Sequence, residues 1–293
     1  MEKGRISKKE RVVAVFELRQ TYKLADLLVV AGLSKSTYYY TVNRLNKPDK
    51  HAETKNKIQK IFEKNKGRYG YRRITLALRS EGVIVNHKTV SVLMKELGLS
   101  CKVRSRRYQS YRGKAGKTAP NLLNRNFKSN RPNEKWVTDV TEFSLFGEKI
   151  YLAPILDLFN GEIISYQIEK RPSLRLVTDM LKKALRKLPA GTMPMLHSDQ
   201  GWQYRHKVYQ SILEEKHITQ SMSRKGNCLD NAVIENFFGH LKSELLYLQN
   251  FDSIEHFIFA LKEYLHYYNH HRIRTTLNGL SPIQFRKQSL IAA

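Results

Sequence analysis

The chain has 293 residues, of which 41% are hydrophobic and 10% aromatic, so it can form packed cores and is not a wholly disordered protein. It contains no run of about 18 apolar residues that would span a bilayer, and its N-terminal stretch carries only a short apolar patch between charges, unlike a signal peptide. The two cysteines, Cys101 and Cys228, form no CxxC pair, which argues for a reducing cytoplasm and against a disulfide framework or a structural zinc site.

The formal net charge of +26 is concentrated in the first part of the chain. Residues 1–130 carry 31 Lys and Arg against 9 Asp and Glu, a net charge of +22, whereas residues 131–293 carry 21 against 17, a net charge of +4. A basic first half indicates a polyanionic partner, and nucleic acid is the leading candidate. A membrane surface is the alternative, but no helix with a large bare apolar face accompanies the charge. We therefore expect a cytoplasmic, nucleoid-associated protein.

Residues 1–50 are predicted to form a helix-turn-helix-like DNA-binding segment. In LADLLVVAGLSKSTYYYTVNRL, Gly32 provides a tight turn between two helices, and Ser34 is placed to cap the second helix. Base edges are usually read from the N-terminal end of that second helix. The residues at that end are Lys35, Ser36 and Thr37. Any two short helices joined by a glycine look similar, so spacing alone leaves DNA contact open.

Residues 51–100 are predicted to form a second helical unit of the helix-turn-helix type. One helix ends at Gly82, and Asn86 is placed to cap the next helix, whose apolar residues recur at helical spacing. Arg72 and Arg73 lie on the first of these helices and are candidates for DNA contact.

Residues 101–130 are predicted to be a basic linker. Its first half, CKVRSRRYQSYRGKAGK, contains many cations and no acid, with tyrosines interleaved and glycines that keep it flexible. Such a segment can follow a DNA backbone and stack on bases, whereas the alternative is a solvated linker whose tyrosines pack on a neighbouring element. The cations predicted to contact DNA are Arg104, Arg106, Arg107 and Arg112.

Residues 131–250 are predicted to form a mixed α/β catalytic core. The segments EKWVTDVTEFSLF, EKIYLAPILDLF and GEIISYQIEK are rich in β-forming residues and are separated by glycine-containing turns, which indicates three antiparallel strands. A helix, a short strand, a second helix, another strand and a third helix follow. This order of elements predicts a mixed sheet covered by helices.

Three acids in this core stand where a solvated carboxylate is unusual. Asp139 falls within the first strand, and Asp199 lies at the C-terminal end of a later strand, where open sheets form ligand sites. Glu235 borders the apolar stripe of a helix that must pack against the sheet. Each acid could instead shape a turn or pair with a cation, and periodicity alone does not choose between the three and their neighbours. The competing acids are Glu142, Asp157, Asp230 and Glu244.

A group of three carboxylates at one site is costly to desolvate, because the charges repel each other unless a cation offsets them. Mg²⁺ takes oxygen ligands, few of them carboxylates, and retains waters and substrate phosphates. Two such ions about 3.5–4 Å apart can clamp the attacking and leaving oxygens of a phosphoryl displacement. We therefore expect two Mg²⁺ ions, with Mn²⁺ as a substitute, wherever three of these acids meet.

Residues 251–293 are predicted to form a helical and basic C-terminal extension. An amphipathic helix capped by Ser253 precedes the aromatic and basic cluster YYNHHRIR, in which Arg272 is a candidate for DNA contact. Packing of this cluster against the core is the alternative. The three histidines 266, 270 and 271 have no cysteine or acid at ligand spacing, which argues against a metal site there.

Several motifs together resemble the catalytic core of bacterial insertion-sequence transposases. They are WVTDVTEF, ILDLFNGEIISY, LHSDQGWQY and SRKGNCLDNAVIENFFGHLKSE. GRYGYRRI, APNLLNRNF and YYNHHRIRTTLNGLSPIQFR extend the match over nearly the whole chain, from about residue 20 to residue 288. The chain resembles the product of the second reading frame (OrfB) in the insertion-sequence family numbered three, which shares its core with retroviral integrases.

This resemblance implies a ribonuclease H-like fold with a mixed five-stranded sheet and an Asp-Asp-Glu triad. The triad residues would be Asp139, Asp199 and Glu235, with the family's characteristic interval of 35 residues between the last two. Lys242, seven residues after Glu235, matches the basic residue that the family uses near the DNA end. Seven residues are two helical turns, so the two side chains share a face of the helix.

The resemblance also implies a reaction and a set of partners. The expected activity is Mg²⁺-dependent strand cleavage and strand transfer at insertion-sequence ends, with a 3′-hydroxyl as the attacking group and a circular intermediate. The expected partners are end and target DNA, further copies of the chain on DNA, and the upstream reading-frame product, fused or separate. A catalytically idle DNA-binding regulator is the alternative, and such a regulator should have lost a triad acid. A nuclease acting on RNA–DNA hybrids is disfavoured by the basic helical first half.

Overall fold

The computed structural model of the protein describes residues 7–45, 49–103 and 118–291. The chain forms two compact units, residues 1–59 and residues 60–293. Four linker cations predicted to contact DNA lie outside the described residues, namely Arg104, Arg106, Arg107 and Arg112. Within the described ranges, no helix is both long enough and apolar enough to cross a membrane.

The first unit is helical around a small apolar core. Its first three helices are α1 (Lys8–Leu18), α2 (Leu24–Ala31) and α3 (Lys35–Leu45). Gly32 ends α2 in the left-handed conformation with φ of 59°, which a residue without a Cβ atom adopts at little cost. Ser34 Oγ accepts a hydrogen bond from the amide of Thr37 at 3.2 Å, so α3 begins with the predicted cap. The core consists of Val12, Val15, Leu28, Leu33, Tyr38 and Val42.

The next helices match the second predicted helical unit. They are α4 (Ala52–Lys64), α5 (Tyr71–Ser80) and α6 (His87–Glu96). The boundary between the two compact units falls within α4. Asn86 Oδ1 accepts a hydrogen bond from the amide of Lys88 at 2.8 Å, which caps α6 as predicted. α5 and α6 then pack together through side chains that include Ile74, Leu78 and Val90, each fully buried.

Six strands form one mixed sheet. They are β1 (Lys135–Thr138), β2 (Thr141–Leu145), β3 (Glu148–Asp157), β4 (Ile163–Glu169), β5 (Met195–Ser198) and β6 (Thr219–Met222). β3 pairs antiparallel with β4 along one edge, and with β2 and β1 in succession along its other edge. β5 runs parallel to β1, and β6 runs parallel to β5. The three antiparallel strands and the mixed, ribonuclease H-like sheet are as predicted.

The structure corrects the prediction for the first strand. The sequence predicts one continuous strand with Asp139 in its middle, and therefore five strands, whereas the structure divides this segment into β1 and β2. The physical reason is a local hydrogen bond, since Asp139 Oδ1 accepts from the amide of Val140 at 2.7 Å. That amide does not then join the ladder with a neighbouring strand, and Asp139 becomes the first residue after β1.

Helices cover both faces of the sheet. The helices of this part of the chain are α7 (Leu174–Lys187), α8 (Lys207–Glu215), α9 (Ala232–Leu241), α10 (Ile254–His270) and α11 (Pro282–Ile291). Side chains of α7 and α8 share an apolar core with Trp136 of β1, and side chains of α9 and α10 share another with Val137. Because neighbouring residues of a strand point to opposite faces, these cores are the two sides of a three-layer arrangement.

The apolar stripe predicted for α9 is buried. Ile234, Phe238 and Leu241 are each 0% exposed, and Leu245 is 1% exposed. Leu245 lies beyond α9, in a π-helical turn over Lys242–Leu246. The stripe therefore anchors α9 to the sheet and continues through this wider turn.

Removal of the Phe238 ring tests this anchoring. We expect Phe238→Ala to lower the free energy of unfolding by about 3–5 kcal/mol, because truncation of a fully buried aromatic ring leaves a cavity. Phe259→Ala is the matched control, since Phe259 lies on α10 with 65% of its surface exposed, and its effect should stay within about 0.5 kcal/mol. Chemical denaturation of both variants gives the two values, and equal losses would contradict the packing of α9 on the sheet.

Candidate active site

Two of the predicted acids lie side by side at the ends of adjacent parallel strands. β1 and β5 are in register, with Val137 opposite His197. Each strand ends one residue before an acid, so Asp139 and Asp199 are the first residues beyond them. The same register, continued by two residues, pairs Asp139 with Asp199. This carboxyl edge is where open α/β sheets form their ligand sites.

Backbone amides orient both carboxylates. Asp139 accepts the bond from Val140 that interrupts the first strand, and Asp199 Oδ1 accepts a bond from the amide of Gly201 at 2.9 Å. A Cβ atom at Gly201 would lie 2.9 Å from that same oxygen, so any larger residue would push on the Asp199 carboxylate. One amide bond uses only one of the lone pairs of a carboxylate, so both acids keep the capacity to bind a cation.

Glu235 is carried toward these acids by α9. It lies in the first turn of the helix beside the buried Ile234, and its own side chain is half-buried. Burial raises the pKa of Glu235, and the negative charge of Asp199 raises it further. A charge acts on a pKa in this way only at short range, so the helix brings the third acid near the second.

The pKa of Asp139 is raised by the same two causes, burial and neighbouring negative charges. Burial raises it well above the usual range, and the charges of Asp199 and then Glu235 raise it further. The pKa of Asp199 is also raised, chiefly by burial. Burial is thus the first cause of all three shifts, repulsion between carboxylates adds to it for Asp139 and Glu235, and the charge of Arg205 opposes it for Asp199.

Each of the competing acids forms an ion pair with a cation, whereas the positive charges of Arg205 and Lys242 act on Asp199 and Asp139 without reversing the rise in their pKa values. The pairs are Glu142 with Lys149, Asp157 with Arg286, Asp230 with Arg224, and Glu244 with Arg272. Hydrogen bonds from the cations hold the pKa of Glu142 and Asp230 below the usual range. Burial raises the pKa of Asp157, but this acid stands opposite Trp136, toward the other end of β1 from Asp139. The structure thus gives each of the four competing acids a cation partner that accounts for it structurally.

The donor set suits a hard divalent cation. Asp139, Asp199 and Glu235 offer only carboxylate oxygens, and a bound positive charge would favour the ionised form of these buried groups, whose pKa values are raised. In the part of the chain that the structure describes, no group of three or more His, Cys, Asp or Glu side chains is already arranged to hold a metal ion. The oxygen donors and the negative charge of the three acids fit Mg²⁺. Their side chains would have to move closer together to bind it.

Lys242 lies near the same end of the sheet. It begins the π-turn after α9, is half-buried, and its Nζ lies 5.7 Å from the centre of the Phe143 ring. Burial lowers the pKa of Lys242, whereas the charges of Glu142 and Asp139 oppose that effect. An ammonium group that interacts with Asp139 is within reach of the triad, in keeping with the face that Lys242 is predicted to share with Glu235.

Trp202 is a residue of this site that the sequence analysis does not single out. It opens a short 3₁₀-helix three residues after Asp199, and 50% of its surface is exposed. An exposed indole can stack on a flat ring of a ligand. The sequence feature that could have identified Trp202 is its position directly after Gly201, close behind the acid that ends a strand.

Several residues predicted to contact DNA are accessible. Lys35 and Ser36 are exposed at the N-terminal end of α3, and Thr37 is half-buried. Arg72 is exposed on α5, where its Nε donates a hydrogen bond to Tyr71 Oη at 3.1 Å. These four residues stay predictions for DNA contact.

The structure corrects the prediction for Arg272. This residue is 3% exposed, and its Nη2 lies 2.6 Å from Oε1 of Glu244, so its guanidinium is an internal partner and not a DNA contact. Packing of the cluster against the core, the alternative considered from the sequence, is the arrangement found. Arg73 is half-buried, and its Nη1 lies 3.4 Å from the same carboxylate oxygen.

Three models of known protein families match separate ranges of the chain. An integrase core domain model matches residues 129–228, and a second integrase core domain model matches residues 235–290. An HTH-like domain model matches residues 49–107. The first range contains Asp139 and Asp199, and the second begins at Glu235.

Among solved structures, the HTLV-2 integrase catalytic core domain in complex with magnesium aligns with a TM-score of 0.42 and 20% identity, covering 54% of this chain and 99% of that one. The putative transposase InsK for insertion sequence element IS150 of Escherichia coli K12 is 55% identical over 273 residues, 93% of this chain and 96% of the relative. Transposase InsF for insertion sequence IS3A of the same organism is 36% identical, over 78% of this chain and 80% of the relative. With identity of this extent, the chain belongs to the family of insertion-sequence transposases that includes those of IS150 and IS3 and carries an integrase core domain.

Proposed function

We propose that the chain is a DDE-type transposase, which cuts DNA strands at the ends of an insertion sequence and transfers the freed 3′-hydroxyls to new phosphodiester bonds. The observation that carries the proposal is the pairing of Asp139 with Asp199 at the ends of β1 and β5, with Glu235 close enough to raise the pKa of Asp139. The name of the 55% identical relative, a putative transposase, supports this reaction class.

The three acids would hold Mg²⁺, with Mn²⁺ as a substitute, because they supply hard oxygen donors that are buried together with raised pKa values. The chemistry that two such ions would supply is activation of the attacking oxygen and stabilisation of the leaving oxygen of an in-line displacement. The remaining contribution to catalysis comes from the protein groups around the site.

These groups contribute position and charge. The amides of Val140 and Gly201 orient two of the carboxylates, and the buried stripe of α9 fixes the third. A site that is oriented before the substrate arrives can align a phosphate with water or with a hydroxyl at little further entropic cost. We expect no covalent enzyme intermediate, since the hydroxyl itself attacks the phosphodiester.

Lys242 would bind a phosphate of the transposon end beside the acids. Its half-buried ammonium interacts with Asp139, so a phosphate held by this cation lies within reach of the carboxylates. The same site would serve both steps. Hydrolysis frees a 3′-hydroxyl at one end. That hydroxyl attacks the phosphodiester at the other end of the same strand, which forms the new bond and releases the 3′-hydroxyl of the flanking DNA, on the way to a circle that is later inserted.

The partners in this proposal are end DNA, target DNA and further copies of the chain, because two ends must be held together for joining. The net charge of +22 over residues 1–130 supports the DNA partner and a location on the nucleoid. The upstream reading-frame product, fused or separate, is a further proposed partner. An idle DNA-binding regulator is the less favoured reading, because all three acids are retained at the ends of the elements that carry them.

Asp139→Asn, Asp199→Asn and Glu235→Gln each test one acid. Each should reduce Mg²⁺-dependent cleavage of DNA that carries the ends of the element by about 10²–10³-fold or more, because the cation loses a ligand and the reacting groups lose alignment. Gel-shift binding of the same DNA should change by less than about twofold. Glu263→Gln, an exposed acid on α10, is the matched control and should cleave normally. Retained cleavage in any of the three variants removes that acid from the triad.

Lys242→Ala tests the proposed end contact. Loss of the ammonium should weaken binding of end DNA by about tenfold and reduce joining, while the Mg²⁺ concentration that gives half-maximal cleavage stays unchanged. Lys262→Ala, an exposed lysine on α10, is the control. Wild-type end binding and joining in Lys242→Ala would defeat the assignment.

The salt dependence of binding tests the role of the basic first half. Release of counterions from several phosphates should weaken DNA affinity by about 10³-fold or more between 50 and 200 mM salt. Fluorescence anisotropy with labelled end DNA gives the slope of the double-logarithmic plot. A flat plot would contradict phosphate contact by this part of the chain.

A further inference from the structure

The π-turn over Lys242–Leu246 interrupts the regular helix directly after α9. The amide of Tyr247 donates to the carbonyl of Lys242 at 3.0 Å, a spacing of five residues where an α-helix has four. A π-turn is less favourable than an α-helical turn and usually has a specific support. Here the support is Glu244, which lies inside the turn and is 1% exposed.

The Glu244 carboxylate is the centre of a buried ion cluster. Oε2 accepts from Arg272 Nε at 2.8 Å and from Tyr264 Oη at 3.0 Å, and Oε1 accepts from Arg272 Nη2 at 2.6 Å. Arg73 of α5 adds a weaker contact of 3.4 Å. Burial by itself would raise the pKa of Glu244, but these hydrogen bonds and positive charges bring it to about 2, so the group is ionised at neutral pH.

The backbone of Glu244 is held from the same side. Its carbonyl accepts a hydrogen bond at 3.0 Å from Nε of Arg68, which is 5% exposed and stacks its guanidinium 4.8 Å from the centre of the Tyr267 ring. Arg68 and Arg73 both come from the GRYGYRRI motif at the start of α5. The helical region that precedes the core therefore contacts Glu244 at both its side chain and its carbonyl.

The neighbouring Tyr69 extends this grip to the segment after α10. Its hydroxyl accepts from the amide of Ile273 at 2.9 Å and donates to the carbonyl of His271 at 3.2 Å. The backbone beside Arg272, the strongest partner of Glu244, is thereby fixed as well. The cluster joins three stretches of the chain that are far apart in sequence.

Lys242 precedes Glu244 by two residues on the same turn. The amide of Lys242 still bonds to the carbonyl of Phe238 within α9, and its own carbonyl accepts the bond from Tyr247 that closes the π-turn. Loss of that closing bond would release the end of α9 and loosen the Lys242 side chain, which lies beside the Phe143 ring and interacts with Asp139.

We propose that Glu244 is a positioning residue of the active site: its ion cluster with Arg73 and Arg272 fixes the π-turn so that Lys242 faces the triad, and it ties the position of the GRYGYRRI motif to that lysine. This inference rests on the proposed function for its catalytic consequence, whereas the dependence of the π-turn on Glu244 is independent of it. Glu244 acts through Lys242 and does not touch the reacting atoms.

A double-mutant cycle on single-turnover cleavage separates this role from a purely structural one. Glu244→Gln should slow cleavage by about tenfold in the wild-type background, and by less than about twofold when Lys242 is already alanine, because the path through Lys242 is then gone. Arg73→Ala, which leaves the pair of Glu244 with Arg272 intact, should give the same coupling with a smaller effect. It remains informative if Glu244→Gln does not fold.

Asp157→Asn is the matched control, because Asp157 is also a fully buried acid paired with an arginine, Arg286, but lies away from the π-turn. Any effect it has on cleavage should multiply with that of Lys242→Ala. Independent, multiplicative effects of Glu244→Gln and Lys242→Ala, or wild-type cleavage by Glu244→Gln, would overturn the inference while leaving the triad proposal in place.

Hydrogen exchange gives a readout that needs no activity. The amide of Tyr247, which closes the π-turn, should exchange at least about tenfold faster in Arg73→Ala and Glu244→Gln than in wild type, and at the wild-type rate in Asp157→Asn. Unchanged exchange in both variants overturns the positioning role. If wild-type protein fails to cleave end DNA, the proposed function fails, and the exchange rates still decide whether Glu244 holds the turn.

Discussion

The parallel pairing of β1 with β5 is the constraint on which the active site depends. It brings two strand ends together and therefore forces Asp139 and Asp199 into proximity, where their charges repel and raise the pKa of Asp139. The burial of two neighbouring carboxylates does not stabilise a fold, because their repulsion is unfavourable until a cation binds. The apolar layers on both faces of the sheet hold the strands in place against this repulsion, and α9 adds a third negative charge to the same corner.

Ion pairs mark the acids that support the fold. Where an acid supports the fold, as Asp230 and Glu244 do, an arginine lies against it. The same pairs also change the meaning of the high net charge. Arg68 and Arg272 are nearly fully buried, so part of the basic character of the chain serves internal cohesion, and the charge that is available to DNA is smaller than the total suggests.

Local features could be predicted from the sequence, whereas features set by distant partners could not. The caps at Ser34 and Asn86 and the stripe of α9 depend on residues a few positions apart, and the structure contains them. The break after β1 depends on a side chain competing with a neighbouring strand for one amide, which a pattern of apolar residues does not reveal. The sequence pattern predicted Arg272 to be a surface cation because its partner, Glu244, lies 28 residues away in the sequence. Periodicity left seven acids equivalent, and only the family resemblance selected three.

The contacts that Arg68, Tyr69 and Arg73 make with the core limit which fragments of the chain keep their buried partners. A fragment that began at the first described residue of the core, 118, would contain every strand of the sheet and all three triad acids. It would nevertheless lose the donor to the Glu244 carbonyl and one of the two arginines around its carboxylate, and it would expose the Tyr267 ring. A fragment that keeps the whole buried cluster must therefore begin before residue 68. A recombination event that exchanged the catalytic core without the GRYGYRRI segment would join halves whose buried charges no longer match.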